Sequence, residues 1–174
     1  MGPCSKLGEN MTSKSDFDPE QWQKIASAPI IAAAVISASD DTGDDMESEE
    51  EEIQAFKDSL VKLRKKYGKT RLIADVLDAI EDEGTDEFDI LFASIGASAS
   101  HESPLEDRIR VVGEAGEILE SVADKKDAKQ YKKFLIDAAT AVASASKEGF
   151  FAFGSSISKK EEFYLRQLQS ALHM

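Results

Sequence analysis

The stretch Ala34–Ile53 reads AVISASDDTGDDMESEEEEI, and its three parts decide the fold. It opens as an Ala-rich apolar helix, breaks into an acidic loop around Gly43, and restarts a helix behind Ser48. Nine of the thirteen residues from Asp40 to Glu52 are acidic. The pattern then recurs. Ala141–Lys147, AVASASK, matches Ala34–Asp40, AVISASD, at five of seven positions, and Ser48–Ile53, SEEEEI, has its echo in Ser158–Phe163, SKKEEF. The second connection is three residues longer. One helix–loop–helix unit therefore occurs twice, once with an acidic loop and once without.

Working outward, the rest of the chain reads as helices. Asp18 before Pro19 has the form of an N-cap followed by a first-turn proline. Trp22, Ile25 and Ala26 give that short helix an apolar face, and Pro29 is expected to break it before Ile30–Ser39 continues as a second helix. Ser48-Glu49-Glu50-Glu51 matches a capping box opening a helix with Ile53, Phe56, Leu60 and Leu63 on one side, closed by Gly68. Leu72, Ile73, Val76, Leu77 and Ile80 mark the next helix. Phe88, Leu91, Phe92 and Ile95 mark another, from Thr85 or Asp86.

Pro104 begins a long helix with Leu105, Ile109, Val112, Ile118, Leu119 and Val122 inward. Gly113 and Gly116 within it permit close helix contact at a cost in propensity. A polar turn over 124–127 leads to a helix from Ala128 to Ser146, carrying Tyr131, Leu135, Ile136, Ala139 and Val142. The last helix carries Phe163, Leu165, Leu168 and Leu172. No period-two strand pattern is found. The expectation is an all-α, single compact bundle of seven or eight helices with two related helix–loop–helix halves. Residues 1–16 read as a disordered tail, with Met11 a candidate natural start, and 17–174 as the helical domain. The Ala-rich ends suggest that the two halves pack their backbones together about a pseudo-twofold axis.

The totals bound the function. A chain of 174 residues suits one domain, able to bury about 70% of its unfolded surface. A formal charge of −13 argues against a nucleic-acid or anionic-membrane surface. Cys4 is the sole cysteine, so neither an internal disulfide nor a Cys-based zinc site can form, and His101 and His173 carry no motif. The apolar run at Ile30–Ile36 is far shorter than a membrane span. The N-terminus lacks a secretory pattern, and Lys6 departs from the myristoylation motif. A cytoplasmic protein is expected.

The repeated motif, Ala38-Ser39-Asp40 with Ser48, Glu51 and Glu52, then Ala145-Ser146 with Ser158, Glu161 and Glu162, resembles the TerB-like family of tellurite-resistance and stress proteins. The resemblance spans about Asp18 to Leu172. It implies a compact helical domain of two related halves, a non-enzymatic role, acidic surface positions and metal binding. The chain departs from the family pattern at Asp41, where a glycine is expected, and at Lys147, which occupies the second acidic position.

Asp40, Asp44, Asp45, Glu51 and Glu52 are the candidate metal ligands. Counted from Asp40 as a twelve-residue calcium loop, Asp40, Asp44, Ser48 and Glu51 fall at ligand positions one, five, nine and twelve, while Thr42 and Asp45 break the pattern at three and six. An oxygen-only ligand set favours Ca²⁺ or Mg²⁺ over zinc. The competing and commoner reading is a solvated acidic loop whose glutamates sit where the helix dipole favours them.

Catalysis finds no phosphate loop, nucleophile elbow or HExxH pattern. Asp75 with Asp78 could form an acid–base couple, but reads better as a wet helix face. Phe150, Phe151 and Phe153 either plug the core or anchor a partner. Lys62, Arg64, Lys65, Lys66, Lys69 and Arg71 either meet an acidic partner or flank a helix C-terminus. The expected function is a stress-response interaction or scaffold role toward a protein partner, with a Ca²⁺- or Mg²⁺-responsive binder as the alternative.

Overall fold

A computed structural model of the chain describes residues 11–39, 46–82, 105–145 and 157–174, with backbone alone over 46–52 and at 145. Among these residues there are six α-helices and no strand: α1 Pro19–Ser39, α2 Met46–Tyr67, α3 Arg71–Asp82, α4 Leu105–Val122, α5 Lys125–Ala145 and α6 Lys159–Ala171. Two of the eight expected elements account for the difference. The one carrying Phe88, Leu91, Phe92 and Ile95 lies outside the described residues, and the break at Pro29 does not occur.

Helix α1 starts as its sequence dictates. Asp18 Oδ1 accepts the Gln21 amide at 2.9 Å, and the Asp18 amide donates back to Gln21 Oε1 at 3.1 Å, with Pro19 as the first helical residue. Pro29 then sits buried in the middle of a continuous helix. A proline at 29 has no N–H for the carbonyl of Ile25, four residues back, and a buried carbonyl without a donor is costly. The donor comes from elsewhere: the Tyr131 hydroxyl, fully buried on α5, donates to the Ile25 carbonyl oxygen. The carbonyl left over at Pro29 is thus satisfied by a residue of α5.

That contact belongs to the principal packing of the molecule. Helix α1 packs most extensively against α5, and next against α4. In the Ala-rich parts of these two helices, Ala32, Ala33, Ala34, Ala138, Ala139 and Ala143 are all buried. Helix α4 runs from Leu105, near Ser39, to a turn that feeds directly into α5, so α1 runs opposite to α4 and in the same direction as α5. Helix α2 lies mainly on α5, while α6 touches α1 more than it touches α5. Helix α6 packs against α4 and α1 to a similar extent.

Helix α6 reaches α4 through the two glycines. A Cβ at Gly113 would stand 3.2 Å from the Ala171 carbonyl oxygen, and one at Gly116 would stand 3.0 Å from Leu172 Cδ2. Here the sequence reading holds. Val122, expected inward, is 37% exposed at the end of α4, and Ala115 takes part in the core instead. The core is completed by Phe56, Leu72, Ile73, Leu77, Leu119, Phe134 and Leu135, all fully buried. Phe134 stacks edge-on against Tyr67 at 5.9 Å and at a tilt against Tyr131.

Three boundaries depart from expectation. Helix α5 begins at Lys125, because Asp124 acts as its cap: Asp124 Oδ1 accepts the Lys126 amide at 2.8 Å, and its carbonyl accepts that of Ala128. Helix α2 begins at Met46, so Ser48 lies inside the helix rather than at its cap. Met and Glu are good helix formers, and nothing at Met46-Glu47 stops the helix from starting earlier. The third concerns 11–16, assigned by composition to the tail. Thr12 is buried, its amide donating to Asp127 Oδ2 at 2.8 Å and its Oγ1 accepting the Asp124 amide at 3.0 Å. The 3₁₀ turn Lys14–Asp16 follows, held by the Lys14 amide to Asp75 Oδ2 at 2.9 Å, and Phe17 is buried beside Trp22. A few polar bonds to distant carboxylates order a segment with little apolar surface of its own.

Candidate functional site

Helix α1 ends at Ser39, whose buried Oγ donates to the Ile36 carbonyl at 2.7 Å. Asp40, Asp44 and Asp45 lie outside the described residues. Glu51 and Glu52 fall on the second turn of α2, where the backbone alone is described. Among the described residues no cluster of three or more His, Cys, Asp or Glu side chains is arranged to hold a metal ion. Phe150, Phe151 and Phe153 also lie outside the described residues.

At this end of the bundle, a groove of about 390 Å³ is bordered by Ala38 and Ser39 of α1, Leu105 of α4, and Lys159, Lys160, Phe163 and Tyr164 of α6. The end of the first repeat helix and the start of the second unit's acid-bearing helix thus share one surface. Helix α6 is opened by a complete capping box. The Ser158 amide donates to Glu161 Oε2 at 2.6 Å, and Ser158 Oγ accepts the Glu161 amide at 3.1 Å. This places Glu161, Leu165, Leu168 and Leu172 on the buried face. Phe163 was expected to join them. It stands 55% exposed instead, because two residues past Glu161 is about 200° around a helix, and it stacks edge-on against Tyr164 at 5.2 Å.

The carboxylates considered as an acid–base couple are both engaged in holding the fold. Asp75 accepts the Lys14 amide through Oδ2 and pairs with Arg71 Nε through Oδ1 at 3.0 Å. Asp78 meets Arg64 Nη2 at 2.9 Å, and the same nitrogen reaches Glu81 at 3.0 Å, joining α2 to α3. Burial works to lower the Arg64 pKa, but the bonds to Asp78 and Glu81 outweigh it and hold it above its ordinary value. Lys66 Nζ and the Tyr67 hydroxyl both donate to Asp137 Oδ2 at 2.6 Å, joining α2 to α5. Burial and then the hydrogen bond to Asp137 push the Tyr67 hydroxyl up, and the bond to Asp137 raises Lys66. The basic cluster at the end of α2 is thereby partly consumed by inter-helix pairs.

The opposite end of the bundle holds a feature that pattern reading passed over. A cleft of about 580 Å³ opens where α4 turns into α5 against the end of the chain past α6. Lys125, Lys129, Lys132 and Lys133 of α5, Glu120 of α4 and His173 supply its polar lining, over an apolar floor of Ala123, Ala128 and Met174. Lys132 is buried, its ammonium bonded to Glu120 Oε1. That bond holds the Glu120 carboxyl below its ordinary value. His173 adopts a left-handed backbone with φ 55° and brings Nδ1 to 3.7 Å from Glu120 Oε2. The signal was present as lysine at 125, 129 and 133, one residue per turn on a single ridge.

Comparison with family models, curated proteins and solved structures finds no match to this chain. No helix among the described residues is long and apolar enough to cross a membrane.

Proposed function

We propose that this chain is a non-enzymatic interaction protein of the TerB-like, stress-response kind, acting in the cytoplasm and meeting a protein partner through the end of the bundle where α1 stops and α6 starts. The observation that carries this reading is Phe163, a phenylalanine 55% exposed and stacked on Tyr164 at the edge of a groove. Exposed aromatics beside a recess are the usual anchors of protein recognition, and Lys159 and Lys160 supply a charged rim around this one. The engagement of Asp75 with Lys14 and Arg71, and of Asp78 with Arg64, gives further support, since both carboxylates serve contacts between elements.

The test is affinity capture by the full chain from cells under several stresses, in parallel with Phe163→Asp. A partner retained in stoichiometric amount by the parent chain and lost by the variant, with the fold intact by circular dichroism, bears the reading out. Equal retention by both chains removes this end of the bundle as the contact. The Ca²⁺- or Mg²⁺-binding alternative at Asp40, Asp44, Asp45, Glu51 and Glu52 is separated by calorimetric titration, where saturable heat in the parent chain and none in Asp40→Asn with Asp44→Asn would establish it.

A further inference from the structure

A chain with 34 acidic and 21 basic side chains has carboxylates in excess for pairing its cations. The described lysines Lys24, Lys66 and Lys132 each find one. Lys125, Lys129 and Lys133 form no ion pair among the described residues, although they stand exposed on one ridge of α5. Like charges four residues apart oppose helix formation, so the ridge is locally unfavourable as it stands. Lys132 lies on the same side of the helix but sinks into the cleft wall.

Three carboxylates at this end of the bundle are already engaged. Glu120 is held by Lys132 on one oxygen and faces His173 with the other. Asp124 caps Lys126, and Asp127 accepts the Thr12 amide. The positive end of the α5 dipole adds to the field at Lys125. The open cleft, about 580 Å³, is of a size with small-molecule sites, and Lys125 and Lys133 are about 12 Å apart along the helix axis. That separation outreaches a single phosphate and suits a short chain of them.

We propose that this cleft binds a small oligophosphate, a ligand carrying two or more linked phosphate groups, free or attached to a nucleoside. Lys129 and Lys133 contact its phosphate oxygens, Lys125 binds the end nearest the α5 N-terminus, and Lys132 holds Glu120 away from the anion. Two sources share this chemistry: an inorganic chain and a nucleoside polyphosphate whose base would lie over Ala123 and Met174.

Calorimetric titration of the full chain with inorganic tripolyphosphate at low salt tests the site, with ATP and orthophosphate titrated in parallel. Saturable one-to-one binding of tripolyphosphate is expected, weaker binding of orthophosphate, and a steep loss of affinity on adding salt. The variant Lys125→Gln, Lys129→Gln, Lys133→Gln should lose about tenfold or more in affinity, with a melting temperature unchanged or raised. The variant Lys62→Gln, Lys65→Gln, Lys69→Gln, which removes equal charge from exposed positions around the end of α2, should keep the parent affinity. Tighter binding of ATP than of tripolyphosphate identifies the nucleoside form, and equal binding identifies the phosphate chain alone. Absence of saturable heat at millimolar tripolyphosphate, or equal loss in both triple variants, overturns the proposal.

Discussion

Helices α1 and α5 begin from nearly the same sequence at their ends and occupy different environments. Helix α1 is buried along most of its second half, from Ala28 to Ile36 with little interruption, because α4, α5 and α6 all pack against it. Helix α5 is buried on one face, through Ala128, Tyr131, Phe134, Leu135, Ala138, Ala139 and Val142, and carries lysines on the other. The shared Ala-rich motif puts small buried residues on both helices. The residues outside the motif decide which helix becomes the centre and which presents a surface. The dependence is also directed: α1 contains the flaw, Pro29, and α5 supplies its remedy, Tyr131.

The largest expected effect comes from removing the ring that α5 inserts among its neighbours. Phe134→Ala should cost about 3–5 kcal/mol, read as a fall in the urea midpoint at unchanged slope. A cost below that of an ordinary exposed substitution would mean α5 is not the wall on which α2 rests.

Next is the coupling between the two helices. Tyr131→Phe leaves the buried Ile25 carbonyl without a donor and should cost about 1–3 kcal/mol. The same change made together with Pro29→Ala should cost clearly less, because an alanine at 29 restores the amide within α1. Additive losses across that double-mutant cycle would show that the hydroxyl is not compensating for the proline.

The two units also differ where their second helices begin. Ser158→Ala removes the α6 cap and should cost about 1 kcal/mol, whereas Ser48→Ala, inside α2, should change stability by no more than about 0.5 kcal/mol. Equal effects would restore the symmetry that the sequence suggests.

The smallest effect concerns acid. Glu120 is held below its ordinary value of 4.5 by Lys132, so its contribution is present above that pH and fades as the pH falls through the depressed folded value. Glu120→Gln should flatten the stability profile below about pH 4.5 and lower the plateau above it. A profile that keeps the parent slope below pH 4.5 would exclude this pair as a source of acid sensitivity.

Much of the core was legible. The stripe Leu72, Ile73, Val76, Leu77 and Ile80 needs only helical periodicity, and all five are buried. Asp18-Pro19 was legible because capping is local, and Gly113 with Gly116 because a missing Cβ in a helix signals close approach. Phe163 was misplaced because apolar character alone does not reveal the phase of a stripe; the buried capping residue Glu161 sets that phase. The lysine cleft escaped notice because four of its nine lining residues, Glu120, Ala123, His173 and Met174, have no sequence relation to the α5 ridge.

The sequence by itself determined that the chain is helical, where α1 and α6 begin, and which faces of α3 and α5 turn inward. These depend on propensity, capping and periodicity, which act within a few residues. Only the tertiary structure decided that α1 continues through Pro29, that residues 11–16 join the bundle, and that four lysines line a cleft. Each of these depends on a partner on the order of a hundred residues away or on a separate helix: Tyr131 for Ile25, Asp127 for Thr12, and the end of α4 for the α5 ridge. A hydrogen bond or a cavity wall supplied across that separation leaves no period and no spacing in the chain that receives it.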